Sequence, residues 1–292
     1  MTLQEWYRRR GGTTNPHGRP VVLFPDTFNN HLHTEVGVAC VEAIEEAGWQ
    51  VILPQGHLCC GRPLYDYGFL DAAERYLRRV IDVLREHVRS DTPIVGMEPS
   101  CLAVFKDELP RVLPHDDDAR RLVRNSYHFA EFFEQFGLPV PELSGKALLW
   151  GHCHQRATGG VEADERLLTR MGLSVDPVSG GCCGLAGSWG FEAGKHRISM
   201  DCGEEAILPA VRRAAEDVSV VANGFSCKTQ IHDAGTGRHA RHLAEVMRTR
   251  TEAGPDRPAP SRARRIARVA APLAALGLIS AVGRLCWQRP RP

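Results

Sequence analysis

Short, wholly apolar segments alternate along this chain with longer segments whose apolar side chains recur at helical spacing. Residues 21–24 and 51–53 are apolar runs, whereas residues 34–48 and 69–87 repeat apolar side chains every three or four positions. The first pattern is typical of buried strands and the second of amphipathic helices. Strands that alternate with helices favour a parallel α/β sheet.

The same order of elements occurs twice. Residues 21–27 match residues 147–153, and residues 93–101 match residues 219–227, both at an offset of 126 positions. In each copy a proline lies five residues before a Cys-Cys-Gly block. The helices expected in the second copy cover residues 161–171 and 199–215, and a helix over residues 118–136 joins the two copies. We therefore expect an α/β fold of two pseudo-repeated CCG units, each with a short parallel sheet and flanking helices.

This repeat divides the chain into five parts: an N-terminal extension (1–18), a first CCG repeat (19–114), a helical connection (115–145), a second CCG repeat (146–250), and a basic Pro/Ala/Arg linker with an apolar tail (251–292). With 43% hydrophobic and 24% charged residues, the composition is that of an ordinary globular protein and argues against wholesale disorder or a polytopic membrane protein. The net charge of +1 gives no reason to expect nucleic acid as a partner.

The tail differs from the body in charge. Residues 251–292 carry eight arginines against two acidic residues, a net +6, so the body is mildly acidic. Residues 269–283 are uncharged, but such a segment is shorter than the ~20 residues that a membrane span needs. Arg268 and Arg284 at its ends favour contact with an anionic membrane surface, and an Ala-rich helix docked on the body is the alternative. Because the N-terminus has no apolar signal-peptide core, we expect a cytoplasmic protein, peripheral to the membrane or tail-anchored at its cytoplasmic face.

Ten cysteines are the unusual feature of the composition. In a reducing compartment, clustered cysteines point to metal or redox chemistry. Ligands of parallel α/β folds lie beyond the carboxyl ends of the strands, so cysteines at strand ends are expected to converge. In the second repeat the converging set is Cys153, Cys182, Cys183 and Cys227. In the first repeat it is Cys59, Cys60 and Cys101, with Thr27 in the fourth position.

Four thiolates are the ligand count of a [4Fe–4S] cluster or of a structural zinc ion. The side chains of adjacent cysteines diverge, which favours a cluster over a simple zinc finger, while redox disulfides are a third interpretation. Gly61 and Gly184, which follow the cysteine pairs, permit a turn that a residue with a Cβ atom resists. The first-repeat set is the weaker candidate, because Thr27 is a poor ligand. The remaining cysteines are interpreted as small buried hydrophobes (Cys40, Cys202, Cys286), and two histidines as groups that orient the ligands (His152, His154).

The doubled Cys-Cys-Gly arrangement resembles the cysteine-rich CCG domain family, and six blocks of residues, in order, carry a narrower likeness within it: 25–30, 59–66, 98–101, 151–154, 182–188 and 224–227. That family includes the heterodisulfide reductase B subunit, the iron–sulfur subunits of glycolate oxidase and anaerobic glycerol-3-phosphate dehydrogenase, and lactate-utilisation protein A. The nearest likeness is to the C-terminal iron–sulfur part of FAD-linked D-lactate or glycolate dehydrogenase-type oxidases, over about residues 19–248.

The resemblance implies an iron–sulfur electron-transfer component of a FAD-linked 2-hydroxy-acid dehydrogenase, which relays electrons towards a quinone or another carrier. It implies that the four second-repeat cysteines hold a [4Fe–4S] cluster. The chain contains neither C-x-x-C nor the G-x-G-x-x-G of a dinucleotide fold, so FAD is expected on a partner dehydrogenase subunit and a ferredoxin-like iron–sulfur protein is a second expected partner. The chain is then an oxidoreductase subunit without its own flavin domain.

The sequence departs from the family at three positions. Thr27 replaces an opening cysteine, and Val104 and Gln230 stand where heterodisulfide reductase has the last cysteine of a C-x-x-C motif. A five-cysteine cluster is therefore not expected in either repeat. A zinc-stabilised or metal-free scaffold module and a thiol–disulfide redox protein are the alternative functions.

Overall fold

The computed structural model describes residues 1–248. Its strands in that range are Pro20–Phe24 (β1), Gln50–Ile52 (β2), Ile94–Gly96 (β3), Ser126–His128 (β4), Lys146–Trp150 (β5), Ser174–Val178 (β6) and Ser219–Ala222 (β7). Its α-helices are Leu3–Arg9 (α1), Thr27–His31 (α2), Thr34–Glu46 (α3), Arg62–Asp66 (α4), Leu70–Arg89 (α5), Pro99–Ala103 (α6), Leu109–Val112 (α7), Asp117–Asn125 (α8), Phe129–Gln135 (α9), Cys153–Thr158 (α10), Glu162–Arg170 (α11), His196–Glu204 (α12), Ile207–Arg213 (α13), Phe225–Asp233 (α14) and Leu243–Arg248 (α15). A π-helical turn spans Val104–Glu108, and a 3₁₀ turn spans Trp189–Phe191.

The strands form two separate parallel sheets, with the orders β2-β1-β3-β4 and β6-β5-β7. In each sheet the first strand of the repeat is flanked by the second and the third. Val22 pairs with Ile94, and Leu148 pairs with Val220, so equivalent pairs lie 126 residues apart on both strands. The expected α/β fold of two pseudo-repeated units is therefore confirmed.

The helix expected over residues 118–136 is interrupted. It is observed as α8 and α9, separated by β4, which adds a fourth strand to the first sheet by pairing Tyr127 with Val95. A new helix begins there because His128 and Glu131 form a capping box, in which the His128 N–H donates to Glu131 Oε2 at 2.9 Å.

The helix expected over residues 199–215 is also two helices, α12 and α13. Pro209 lies in the first turn of α13, where its missing N–H costs nothing. A continuous helix would place its ring against the carbonyl of Glu205, so the helix ends and starts again just before the proline.

The second repeat contains a reduced counterpart of β4. Arg241 makes a single parallel bridge to Val221 of β7, and the chain then enters α15. The His242 N–H donates to Glu245 Oε2 at 2.7 Å, as His128 donates to Glu131. The repeat therefore extends beyond the cysteine blocks to a shared His-x-Ala-Glu helix start.

One hydrophobic core joins the two repeats. Along β1 the side chains of Val21 and Leu23 face this core, and along β5 those of Ala147 and Leu149 do so. Helices α3, α9, α11 and α15 fill the space between these two faces. The opposite face of the first sheet packs on α5 and α8, and that of the second sheet on α13 and α14.

No helix within residues 1–248 is long and apolar enough to cross a membrane. The linker and tail expected over residues 251–292, with Cys286, lie outside the described residues.

His242 lies in the shared core and generates a prediction about acid stability. It is 1% exposed, its Nδ1 accepts the Ala244 N–H, and its Nε2 lies 3.3 Å from the Met97 carbonyl oxygen of the other repeat. Burial, with a smaller contribution from Lys228, lowers the pKa of His242 to about 3. The unfolded chain binds a proton at this residue below about pH 6.5 and the folded chain does not, so the free energy of unfolding falls as the pH drops from there towards 3.

We expect His242→Gln to make this pH dependence shallower between pH 4 and 6, by up to about 1.4 kcal/mol per pH unit. The measurement is urea unfolding at several pH values. His17→Gln, at an exposed position, is the matched control and should leave the dependence as in the wild type. If the unfolding free energy depended on pH equally in His242→Gln and the wild type, His242 would not be the source of the acid sensitivity.

Candidate cysteine site at the strand ends

The cysteines of both repeats lie where parallel strands end and helices begin. Cys153 opens α10 directly after β5, and Cys227 lies in the first turn of α14 after β7. In the first repeat, Thr27 opens α2 after β1, and Cys101 lies in the first turn of α6 after β3. The Cys-Cys-Gly blocks follow the remaining edge strands, β2 and β6. Parallel pairing therefore brings each set to the carboxyl edge of its sheet.

The structure brings the four second-repeat thiols together as a continuous chain. Cys153 Sγ lies 4.0 Å from Cys182 Sγ, Cys182 contacts Cys183, and Cys183 contacts Cys227. Cys183 and Cys227 are 3% and 1% exposed, whereas Cys153 and Cys182 are half-buried. The set, here called the thiol quartet, is thus closed on one side and open to solvent on the other. Its role as a ligand set stays a prediction.

Charge is distributed unevenly in the quartet. Hydrogen bonds from the thiols of Cys153 and Cys183 hold the pKa of Cys182 well below its usual range, and the N–H of Gly184 adds to this effect. The hydrogen bonds to Cys182, together with burial, raise the pKa of Cys153 and of Cys183. In the metal-free site the thiolate form is therefore favoured at Cys182 over Cys153 and Cys183.

The three first-repeat cysteines also meet. Cys60 Sγ lies 3.1 Å from Cys101 Sγ, and Cys59 contacts both Cys60 and the Thr27 side chain. Thr27 therefore takes the fourth position with a hydroxyl group in place of a thiol. The hydrogen bond to Cys60 and burial raise the pKa of Cys59, so this set holds its protons. All nine cysteines within residues 1–248 are free thiols.

The other two described cysteines lie on helices, as expected. Cys40 is fully buried on α3, with its Sγ 3.9 Å from His242 Nδ1. Cys202 on α12 is only partly buried, in contrast to the expectation, because it lies beside Gly184, which has no side chain to cover it.

The two histidines beside Cys153 lie close together, with ring centres 5.3 Å apart. His152 is 5% exposed and caps α10, its Nδ1 accepting the His154 N–H at 3.2 Å. Burial lowers the pKa of both rings to about 4, so both are neutral at physiological pH. The buried His154 Nδ1 has no hydrogen-bond partner within residues 1–248. These rings shape the wall of the quartet without adding charge to it.

Sequence reasoning missed the contacts that join the two repeats at this edge. The Phe28 ring stacks on Phe225 with centres 4.2 Å apart, and the Glu98 carboxylate accepts the Phe225 N–H at 2.7 Å. Glu98 belongs to the Glu-Pro-Ser-Cys block used for the family resemblance, but its partner lies 127 residues away. No local pattern indicates such a pair.

The donor set determines which group the quartet suits. Within residues 1–248 no group of three or more His, Cys, Asp or Glu side chains is arranged to hold a metal ion. Four contacting sulfur atoms are soft ligands, in the number that a [4Fe–4S] cluster takes. The residues present therefore fit an iron–sulfur group by ligand type and number.

Comparison with known proteins gives one family match and a set of relatives. Residues 24–106 match the model of the cysteine-rich domain, CCG, which confirms the resemblance for the first repeat. The chain is 28% identical over 234 residues to D-2-hydroxyglutarate dehydrogenase of Escherichia coli (strain K12), a match that covers 78% of this chain and 22% of that protein. It is 26% identical over 235 residues to the C subunit of anaerobic glycerol-3-phosphate dehydrogenase from the same organism, and this match covers 79% of this chain and 59% of that protein.

A third relative is matched over nearly its whole length. Lactate utilization protein A of Bacillus subtilis (strain 168) is 28% identical over 248 residues, covering 79% of this chain and 99% of that protein. The chain therefore spans less than two thirds of the two dehydrogenase relatives but almost all of this one.

The turn after the second cysteine pair generates a prediction. Gly184 has φ +95°, and a Cβ atom there would lie 1.9 Å from the carbonyl oxygen of Ser199. Gly184→Ala must displace α12 or the cysteine pair, and we expect it to lower the free energy of unfolding by about 3 kcal/mol or more. Gly187→Ala, in the same loop with φ +72° and open space around it, is the matched control and should cost about 1 kcal/mol. If denaturant unfolding gave equal losses of unfolding free energy for Gly184→Ala and Gly187→Ala, the predicted clash with Ser199 would be wrong.

Proposed function

We propose that this chain, whose first repeat matches the cysteine-rich domain family, is the iron–sulfur electron-transfer component of a FAD-linked 2-hydroxy-acid dehydrogenase of D-lactate or glycolate type. The observation that carries the proposal is the thiol quartet: four cysteines from three strand ends meet at one sheet edge. A [4Fe–4S] cluster bound there supplies one-electron redox chemistry.

The chain's own residues supply the ligands and shape their surroundings. Cys183 and Cys227 are the buried ligands of the proposal, and Cys153 and Cys182 form its accessible side. Arg156 of α10 lies over the Trp150 ring at 4.9 Å and donates a hydrogen bond to the Gly181 carbonyl oxygen, so it ties the cysteine loop to the helix of Cys153. A cluster held by these residues would exchange electrons through the accessible side, because a partner's redox group could approach closely only there.

The relatives support one of the proposed partners. Two of them are named as a dehydrogenase and a dehydrogenase subunit, which supports a dehydrogenase as the partner of this chain. In the proposal that partner carries FAD and oxidises the 2-hydroxy acid. A ferredoxin-like iron–sulfur protein completes the electron path, which ends at a quinone or another carrier.

Two other functions each have one observation in their favour. One sulfur pair is on the side of a zinc-stabilised scaffold: the Cys153–Cys182 separation of 4.0 Å is close to the ~3.8 Å between two thiolates on a tetrahedral zinc ion with Zn–S bonds of about 2.3 Å, although no three such side chains of residues 1–248 are arranged to hold a metal ion. The Cys60–Cys101 separation of 3.1 Å favours a thiol–disulfide protein. Metal analysis and thiol titration after mild oxidation separate these functions from the first.

We expect anaerobically purified and reconstituted protein to contain about four iron and four sulfide per chain, with an EPR signal that appears on reduction by dithionite. Cys182→Ser should lose most of the iron, since it removes the accessible thiolate of the quartet. Cys40→Ser is the matched control, because Cys40 lies in the core away from the quartet, and it should keep the iron. A colourless, iron-free protein would refute the proposal, equal iron losses in both variants would refute the ligand assignment, and stoichiometric zinc would favour the scaffold.

We also propose that the basic tail places the protein at the cytoplasmic face of the membrane. Its net +6 charge and the apolar segment between Arg268 and Arg284 carry this proposal. Deletion of residues 255–292 should abolish sedimentation with vesicles that contain anionic lipid, while neutral vesicles serve as the control. If full-length and truncated chains sediment alike, the tail is not the anchor.

A further inference from the structure

Glu98 is a buried carboxylate that lies between the two repeats. It follows β3, is 1% exposed, and caps α6, the helix of Cys101. Its Oε1 accepts the Ser100 N–H at 3.2 Å and the Ser100 hydroxyl at 2.8 Å. Its Oε2 accepts the Phe225 N–H at 2.7 Å, at the first residue of α14. One carboxylate thus holds the ends of two cysteine helices, one from each repeat.

The same carboxylate faces a third cysteine helix. Oε1 lies 3.9 Å from Nε2 of His152, the residue that caps α10 and precedes Cys153. The Nδ1 of the same ring accepts the His154 N–H at 3.2 Å, so the ring has the start of α10 on one side and the carboxylate on the other. Glu98 therefore contacts or faces the starts of the helices that carry Cys101, Cys227 and Cys153.

The pseudo-symmetry of the chain fails at this residue. The position 126 residues after Glu98 is Gly224, where an added Cβ atom would lie 2.2 Å from the His152 ring. The second repeat has no side chain at this place because its own histidine fills the space. It therefore depends on the first repeat for the acceptor that satisfies the start of α14.

We propose that Glu98 is a positioning residue through which the first repeat holds the Cys227 and Cys153 helices of the second repeat in place. The inference rests on the proposed function only in treating those thiols as ligands, and the hydrogen bonds themselves exist in the metal-free chain. A buried carboxylate with three hydrogen bonds to fixed donors is costly to move, because any displacement leaves a charge without partners in the core. The first repeat thus acts as a rigid support for the quartet.

The first test uses the metal-free, reduced, full-length protein. Cys227 and Cys40 are 1% and 0% exposed, so an alkylating reagent reaches either only after local or global opening. We expect Glu98→Ala to increase the alkylation rate of Cys227 about tenfold, since it removes a hydrogen bond to a charged group at the start of α14. The rate at Cys40, measured in the same sample by mass spectrometry, should change much less, because Cys40 reports global unfolding.

Two further variants separate a positioning role from a general loss of stability. Glu45→Ala removes another buried glutamate of the first repeat, which pairs with Arg10 and accepts the Thr14 N–H, both in the N-terminal segment. It should raise the rates at Cys227 and Cys40 together. Glu98→Gln keeps one acceptor oxygen for the Phe225 N–H and should restore much of the protection of Cys227. Parallel increases at Cys227 and Cys40 in Glu98→Ala would overturn the inference.

The second test uses the reconstituted protein and keeps the two proposals apart. If the quartet binds iron, Glu98→Ala should lower the iron content towards that of Cys227→Ser, whereas Glu45→Ala should keep it. An iron-free wild type would refute the proposed function, and the alkylation rates would still decide the role of Glu98. Full iron loading of Glu98→Ala, with wild-type protection of Cys227, would refute the positioning role and leave the proposed function standing.

Discussion

Parallel pairing of the strands is the constraint on which the chemistry of this chain depends. In a parallel sheet every strand ends at the same edge, so residues that are far apart in sequence but follow the strands must meet there. Cys153 and Cys227 are 74 positions apart, yet β5 and β7 are adjacent, and the turn after β6 brings the cysteine pair to the same place. The cysteine sites are therefore consequences of the sheets, with little contribution from local cysteine spacing.

The position of the carboxyl edge of one sheet relative to that of the other sheet depends on the shared core. The central helices bury side chains from the inner faces of both sheets, so neither repeat closes its own core on that side. At the carboxyl edges the contact continues as the stack of Phe28 on Phe225 and the hydrogen bond from Phe225 to Glu98. Because hydrophobic packing and a buried charged hydrogen bond act together, a shift of one repeat against the other would break both.

The sequence predicts most of this fold because its strongest signals are local or periodic. Six of the seven described strands lie in segments that recur between the two copies, four of them at an offset of 126 positions. β4 is missed because Ser126–His128 is a short polar segment between two helical patterns, and only β3 makes it a strand. The recurring His-x-Ala-Glu was a usable signal for both helix starts, but its offset differs from that of the cysteines. Glu98 could not be assigned, because its partners lie on the other repeat.

At three equivalent positions near the cysteines, the first repeat has a side chain with oxygen and the second repeat does not. Where the first repeat has Asp26, Thr27 and Glu98, the second has His152, Cys153 and Gly224. Oxygen atoms in one repeat thus correspond to a nitrogen, a sulfur and an absent side chain in the other. Soft metals prefer sulfur, so this difference favours the second repeat over the first as the site of the proposed iron–sulfur group. The buried oxygens of the first repeat instead accept hydrogen bonds from helix starts: Asp26 from Asn29, and Glu98 from Ser100 and Phe225. The first repeat therefore supplies buried oxygen acceptors at helix starts, whereas the second repeat supplies a fourth thiol where the first has Thr27.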